Sequence, residues 1–174
     1  MKLYPSIRNR YHTTLNFIEE VLPGKYQILD LGTPNEFTNL LTNNGYEVTN
    51  TEGQDLDLEP ESVGNYKADL VTAFEILEHL VSPFPLLKSL PADRLIATVP
   101  LKLWFAKAYR NDKDLWDRHY HEFEDWQFDW LLEKAGWKIV ERRKWVSPTG
   151  KTGLKSLLRR FTPRYYGVYA VRSV

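Results

Sequence analysis

Three groups of side chains in this 174-residue chain have types and spacings that could do chemistry. The first is Asp30-Leu31-Gly32, which closes the apolar run Ile28-Leu29. A glycine at the end of a buried strand lets the backbone turn sharply and approach a ligand closely. Glu52 stands 20 residues beyond Gly32. An acid at that distance can accept two hydrogen bonds from ribose hydroxyls. The second group is Glu75-Ile76-Leu77-Glu78-His79-Leu80, directly after the mostly apolar stretch Ala68-Asp69-Leu70-Val71-Thr72-Ala73-Phe74. The third is His119-Tyr120-His121-Glu122, with Asp117 just before it. An imidazole is poised near neutral pH to take a proton from a hydroxyl or amine, so His121, and after it His119, are candidate bases. Alternate histidines also invite a metal, but no third ligand is fixed by the spacing, and no metal is expected. A structural aromatic–histidine cluster is the competing reading.

The elements that must position these groups follow from periodicity. Residues 6–22 carry Ile7, Tyr11, Leu15, Phe17, Ile18 and Val21 at near-helical spacing, and Pro23-Gly24 stops the helix. Residues 26–32 read as a buried strand, 36–43 as a helix ended by Asn44-Gly45, and 46–51 as a second strand. Strand, helix and strand in that order form a βαβ unit with a parallel pair. Residues 52–66 are acidic and aperiodic, and read as a loop. A third strand spans 68–74, helical pieces 76–80 and 83–90, and a fourth strand 94–99. The aromatic, charged residues 101–123 lack a period. A helix is predicted over 125–135 with Phe128, Leu131 and Leu132 inward, a strand over 137–145, a short basic amphipathic helix over 153–161 and a last strand over 165–171. The alternation predicts a single compact α/β domain, a Rossmann-like, doubly wound, mostly parallel sheet with an antiparallel C-terminal strand. The acceptor side is expected from residues 1–20 and 101–124.

Composition narrows the class. There is no cysteine, hence no disulfide framework and no thiolate metal site. The start lacks the apolar core of a signal peptide, and no apolar run is long enough to span a bilayer. A soluble, cytoplasmic protein is expected. The net charge of zero hides an asymmetry. From Lys138 onward ten Lys/Arg face the single acid Glu141, so the chain is +9 there and −9 before it. The two readings are an anionic partner and a solvated edge attracted to the acidic body. The helix over 153–161 could touch an anionic membrane, but is expected to pack on the sheet edge between the last two strands. Gly150-Lys151-Thr152 looks like the end of a phosphate loop, but Trp145 stands where that loop needs glycine, so an ATPase is rejected.

Taken together, Ile28-Leu29-Asp30-Leu31-Gly32, the Gly45-Tyr46-Glu47-Val48 strand leading to an acid, and Asp69-Leu70-Val71 running into Glu75-Ile76-Leu77-Glu78-His79-Leu80 resemble the class I S-adenosylmethionine-dependent methyltransferases. They are most similar to the small-acceptor branch, in which Glu-x-Leu-Glu-His-Leu follows a strand. Thr98-Val99-Pro100 and the stretch from Phe123 to Gly136-Trp137 extend the match. The resemblance implies S-adenosylmethionine as methyl donor and a small-molecule or sugar acceptor. It implies that Asp30 and Gly32, with Thr33 and Pro34 beside them, border the methionine end. Glu52 would hold the ribose, and Asp55 with Leu56, or the competing Asp57, the adenine edge. Phe74 and Glu75 would line the other side, and His79 would brace the loop.

Two departures stand out. The family's Gly-x-Gly-x-Gly loop here reads Gly32-Thr33-Pro34-Asn35-Glu36, and Pro34 offers no N–H. Glu36 adds a carboxylate where the cofactor's amino-acid end is expected. The family's helix and strand between the ribose acid and the adenine Asp are also missing. The alternative function is a non-catalytic Rossmann-like module for binding or assembly. Nicotinamide chemistry lacks its Gly-x-Gly-x-x-Gly, and nucleic-acid methylation lacks an Asn-Pro-Pro-Tyr motif.

Overall fold

The computed structural model describes residues 5–148 and 152–173. Six strands among them form one sheet: β1 (Gln27–Asp30), β2 (Glu47–Asn50), β3 (Leu70–Phe74), β4 (Arg94–Pro100), β5 (Trp137–Val146) and β6 (Pro163–Arg172). Their order is β2-β1-β3-β4-β6-β5. The first four pair in parallel, and β6 runs antiparallel to both β4 and β5. Thus β6 alone opposes the common direction. The helices that accompany the sheet are α1 (Pro5–Val21), α2 (Glu36–Asn43), α3 (Pro83–Ser89), α4 (Asp125–Lys134) and α5 (Leu154–Leu158).

Period-two alternation divides the core between the two faces. Ile28, Leu70, Ile96 and Tyr169 point to one face, where Leu15, Phe17 and Ile18 of α1 and Phe37 and Leu41 of α2 cover them. Their neighbours Leu29, Val71, Leu95 and Val168 point to the other, against Leu86 and Leu87 of α3 and Phe128 and Leu132 of α4. Burial on both faces explains why the inner strands read as continuous apolar runs rather than alternating ones. The outer strand β5 instead carries five charged residues among its ten and is bulged between Ile139 and Glu141. Its charges discourage pairing with another edge. Arg142, Arg143 and Lys144 reach back to Asp129, Glu20 and Asp125, so the basic end is drawn onto the acidic body.

Helix starts follow local chemistry. Asn35 caps α2, its side-chain oxygen accepting from the amides of Phe37 at 2.8 Å and Thr38 at 3.3 Å. Pro83 opens α3 without loss, because a first-turn N–H has no intrahelical partner. Between β2 and β3 there is only a loop and the 3-10 turn Pro60–Asn65, leaving β2 at the sheet edge.

One expectation fails. The basic helix spans only Leu154–Leu158, and Leu154, Leu157 and Phe161 are exposed rather than packed on the sheet. Five residues are too few for a helix to sustain an amphipathic stripe of its own. Gly150 and Lys151, part of the rejected phosphate-loop pattern, lie outside the described residues. Among those described, no helix is long and apolar enough to cross a membrane.

Candidate active site

The strand order turns at β1 and β3, since the chain leaves β1 toward β2 on one side and later returns to place β3 on the other. Such a switch point opens a crevice beyond the carboxyl ends of the strands. A cavity of about 460 Å³ lies there, within the range of small-molecule sites.

Asp30 ends β1 and is buried. Its carboxylate accepts from Thr72 Oγ1 at 2.7 Å, Asn50 Nδ2 at 3.1 Å and Thr38 Oγ1 at 3.4 Å. Burial nevertheless lifts its pKa to about 6 against the pull of those hydrogen bonds. Gly32 follows at φ +99, and a Cβ there would meet Ile76 Cδ1 at 3.0 Å. Its amide donates to Thr51 Oγ1 at 2.8 Å, tying the turn to the end of β2. Asn50 Nδ2 also donates to the Gly32 carbonyl at 3.2 Å.

Glu75 forms the opposite wall. It is the one described non-glycine residue with a positive φ, +57. Such a conformation costs roughly 1–2 kcal/mol and is found where a structure over-determines it. The determinants are visible: the Glu75 amide donates to the Thr98 carbonyl at 3.0 Å, and Thr98 Oγ1 donates to Glu75 Oε1 at 2.9 Å. Arg10 of α1 reaches Glu75 Oε2 at 3.5 Å, with its guanidinium 5.4 Å from the ring centres of Tyr11 and Tyr165. Burial raises the Glu75 carboxyl above the usual range, while Arg10 and Thr98 oppose the shift.

The third side comes from the segment between β4 and α4. Leu101 bridges to Phe123 in parallel, closing the segment at its base. The amides of Tyr120 and His121 donate to the Glu78 carbonyl at 2.8 and 3.2 Å. The His119 ring packs edge-on against His79 at 4.6 Å and tilts onto Tyr109 at 4.4 Å. Tyr109 Oη donates to Asp117, which also accepts from Asn111 Nδ2 at 2.7 Å. Burial, then His79 and Arg164, hold the His119 pKa down at about 4. A ring so hard to protonate is a poor proton acceptor at neutral pH.

Of the residues singled out from the sequence, Asp30, Gly32, Thr33, Phe74, Glu75, His79 and His119 line this cavity. Pro34, Glu52, Asp55, Leu56 and His121 are not among its walls. Glu52 is exposed in the loop two residues beyond β2. Asp55 Oδ1 accepts from the Asp57 amide at 3.1 Å, and Leu56 is buried in the core. Asp57 accepts from the amides of Val81 and Ser82, both at 2.8 Å, and so anchors the start of α3. Glu36 is exposed in the first turn of α2, away from the cavity, where its charge suits the helix dipole. His121 Nε2 donates to the Val81 carbonyl at 3.2 Å, and its ring stacks on Phe123. Arg10, Arg164 and Tyr165 line the cavity without having been singled out. Arg10 lies among polar residues of an amphipathic helix, Tyr165 opens the predicted last strand, and Arg164 stands just before it. No sequence signal distinguishes them from surface positions.

The walls suit a zwitterionic amino-acid group. Asp30 can receive an ammonium, Arg10 and Arg164 a carboxylate, and Gly32 keeps open a space that a side chain would fill. A nucleoside attached to such a group would have to cross the Thr33 rim to reach Glu52.

No family model matches the chain, and no curated protein matches it by sequence. Solved structures do match by fold. A 1,6-didemethyltoxoflavin-N1-methyltransferase from Burkholderia thailandensis, solved with 1,6-didemethyltoxoflavin and S-adenosylhomocysteine, is 17% identical. The match covers 94% of this chain and 78% of that one, with a TM-score of 0.64. A SAM-dependent methyltransferase from Methanosarcina mazei is 14% identical, with both chains covered completely and a TM-score of 0.60. The [4+2]-cyclase SpnF is 15% identical, with 96% of this chain and 83% of that one covered and a TM-score of 0.61.

Proposed function

The chain has the class I S-adenosylmethionine-dependent methyltransferase fold, and we propose that it binds S-adenosylmethionine and transfers the methyl to a small-molecule or sugar acceptor. The observation that carries this reading is the cavity at the β1/β3 switch point, with Asp30 and Gly32 on one wall and Arg10 with Glu75 on the other. When bound, the cofactor supplies a methyl group already activated by its sulfonium. What the chain itself must contribute is therefore alignment, which can lower a barrier by roughly 7–11 kcal/mol.

In this reading Asp30 receives the ammonium and Arg10 the carboxylate of the amino-acid end. Glu75 keeps Arg10 oriented, and Phe37 and Phe74, 4.9 Å apart and edge-to-face, exclude water behind the site. Glu52 reaches the ribose from the rim. The acceptor enters between α1 and the segment bearing Tyr109 and His119. Neither candidate histidine is well disposed to act as a base, because His121 faces a backbone carbonyl and His119 resists protonation. The acceptor's proton then leaves to solvent.

Calorimetry with S-adenosylhomocysteine tests cofactor binding, followed by transfer of labelled methyl to a panel of hydroxyl and amine acceptors. Saturable one-to-one binding supports the proposal, and no heat at millimolar ligand overturns it. The second reading, a non-catalytic binding or assembly module, is favoured by one observation: Glu52 is exposed and outside the cavity walls. A fold shared with a [4+2]-cyclase is a reminder that the site, not the fold, decides the chemistry.

A further inference from the structure

Beside the wall formed by Glu75, three side chains converge that the methyl-transfer reading does not use. Glu78, His79 and His119 bring a carboxylate oxygen and two imidazole nitrogens within 4.8 Å of one another. Glu78 is 1% exposed, and its Oε2 has no hydrogen-bond partner. His119 Nδ1 is likewise buried and unpaired. Buried polar atoms are nearly always paired, because an orphan forfeits its hydration with nothing in return. Two orphans in one cluster leave room for a shared partner: Glu78 Oε2 has lone pairs to give, and His119 Nδ1 has one when its neutral ring is protonated at Nε2.

His79 adds an orientation argument. Its Nδ1 lies 3.1 Å from the Arg118 carbonyl, which can only accept, so Nδ1 carries the proton. In the neutral ring Nε2 is then bare, and it lies 3.8 Å from Glu78 Oε1. Ligating histidines are fixed in this way, with one ring nitrogen donating to a backbone carbonyl and the other facing the ion. The two main-chain bonds from Tyr120 and His121 to the Glu78 carbonyl hold the His119 segment in register with Glu78. The cluster is therefore built from both sides before any ligand arrives.

We propose that Glu78, His79 and His119 form a binding site for one divalent first-row transition ion of the Zn²⁺ or Co²⁺ type, open toward the cavity. Two imidazoles and one carboxylate make a nitrogen-rich donor set, whereas Mg²⁺ and Ca²⁺ prefer all-oxygen sites. Three protein ligands leave a fourth position free, as in zinc sites that handle a substrate. All three residues line the cavity, so that position faces whatever small molecule enters. Donor atoms on a tetrahedral ion stand roughly 3.3 Å apart, given bonds of about 2.0–2.2 Å. The cluster must therefore contract by up to about 1.5 Å, within reach of side-chain rotation. His79 and His119 lie 40 residues apart, so no sequence spacing announces the set.

The test uses the full chain, stripped with a chelator and titrated without any nucleoside, so its outcome is separate from that of cofactor binding. Zn²⁺ is followed by calorimetry and Co²⁺ by its visible absorption bands. The expected result is one equivalent per chain. Glu78→Gln and His119→Ala should each weaken binding by at least about 100-fold, since even outer-shell partners are worth 10–100-fold. His12→Ala, on the exposed face of α1, should bind as the unmodified chain does. If Glu78→Gln does not fold by circular dichroism, His79→Gln at the more open rim replaces it. Absence of saturable one-to-one uptake overturns the proposal, as does undiminished uptake in folded His119→Ala.

Discussion

Thr72 donates a 2.7 Å hydrogen bond to Asp30 across the β1–β3 pair, at the register position where the two residues are direct partners. The bond lies at the switch point itself. It helps hold the buried Asp30 carboxylate at the cavity wall.

The burial of Asp30, which outweighs this hydrogen bond, makes stability depend on pH. Asp30 has a folded pKa of about 6 against an ordinary 3.8. The folded chain therefore binds this proton more tightly than the unfolded one, and stability from this group is lost as pH rises through about 4 to 6. At 1.36 kcal/mol per unit the contribution is about 3 kcal/mol. Urea unfolding at pH 4 and pH 7 should show this loss in the unmodified chain, with Asp30→Asn flatter by a comparable amount. Equal slopes in the two would refute it.

Gly32 should tolerate no side chain. Alanine there would adopt φ +99 and press on Ile76 Cδ1 at 3.0 Å. The strain of an L-residue in that region is roughly 1–2 kcal/mol before any clash is counted. Gly32→Ala is expected to lower the melting temperature by several degrees and to weaken S-adenosylhomocysteine binding. Pro34→Ala, at an exposed loop position, should leave stability nearly unchanged.

The parallel sheet and the order of its elements were legible because both rest on local signals. Continuous apolar runs such as 95–97 suit burial on two faces, and Pro23-Gly24 and Asn44-Gly45 punctuate the chain. The α5 region misled because a few apolar residues at helical spacing say nothing about what covers them, and Leu154 and Phe161 remain in solvent. The site was legible only where it follows a strand end. Asp30, Gly32 and Glu75 could be found, because the carboxyl end of a parallel strand is a place that sequence defines. Arg10 and Tyr165 could not, since they meet only when α1 and β6 dock beside β4. Glu78 and His119 are joined by backbone bonds from a segment without any period.

Arg10 and Glu75 should behave as one unit. Glu75→Gln keeps an acceptor for Thr98 but removes the charge that orients Arg10. Arg10→Ala removes the guanidinium. Each single change should weaken S-adenosylhomocysteine by about tenfold, the scale of one charge-assisted hydrogen bond of roughly 1.5–3 kcal/mol. The double variant should be little worse than either single one, because contacting residues do not add. Strictly additive losses in calorimetry would separate the two residues.

Glu52 tests the nucleoside half of the proposal. It is exposed, so replacing it leaves no buried partner stranded, and Glu52→Ala should change stability by less than about 0.5 kcal/mol. If the ribose crosses the Thr33 rim to reach it, two charge-assisted hydrogen bonds are lost, and the Kd for S-adenosylhomocysteine should rise at least tenfold. Methionine, which has no ribose, should bind the variant and the unmodified chain alike. An unchanged Kd for S-adenosylhomocysteine would place the nucleoside elsewhere. It would leave Asp30 and Arg10 as a site for the amino-acid end alone.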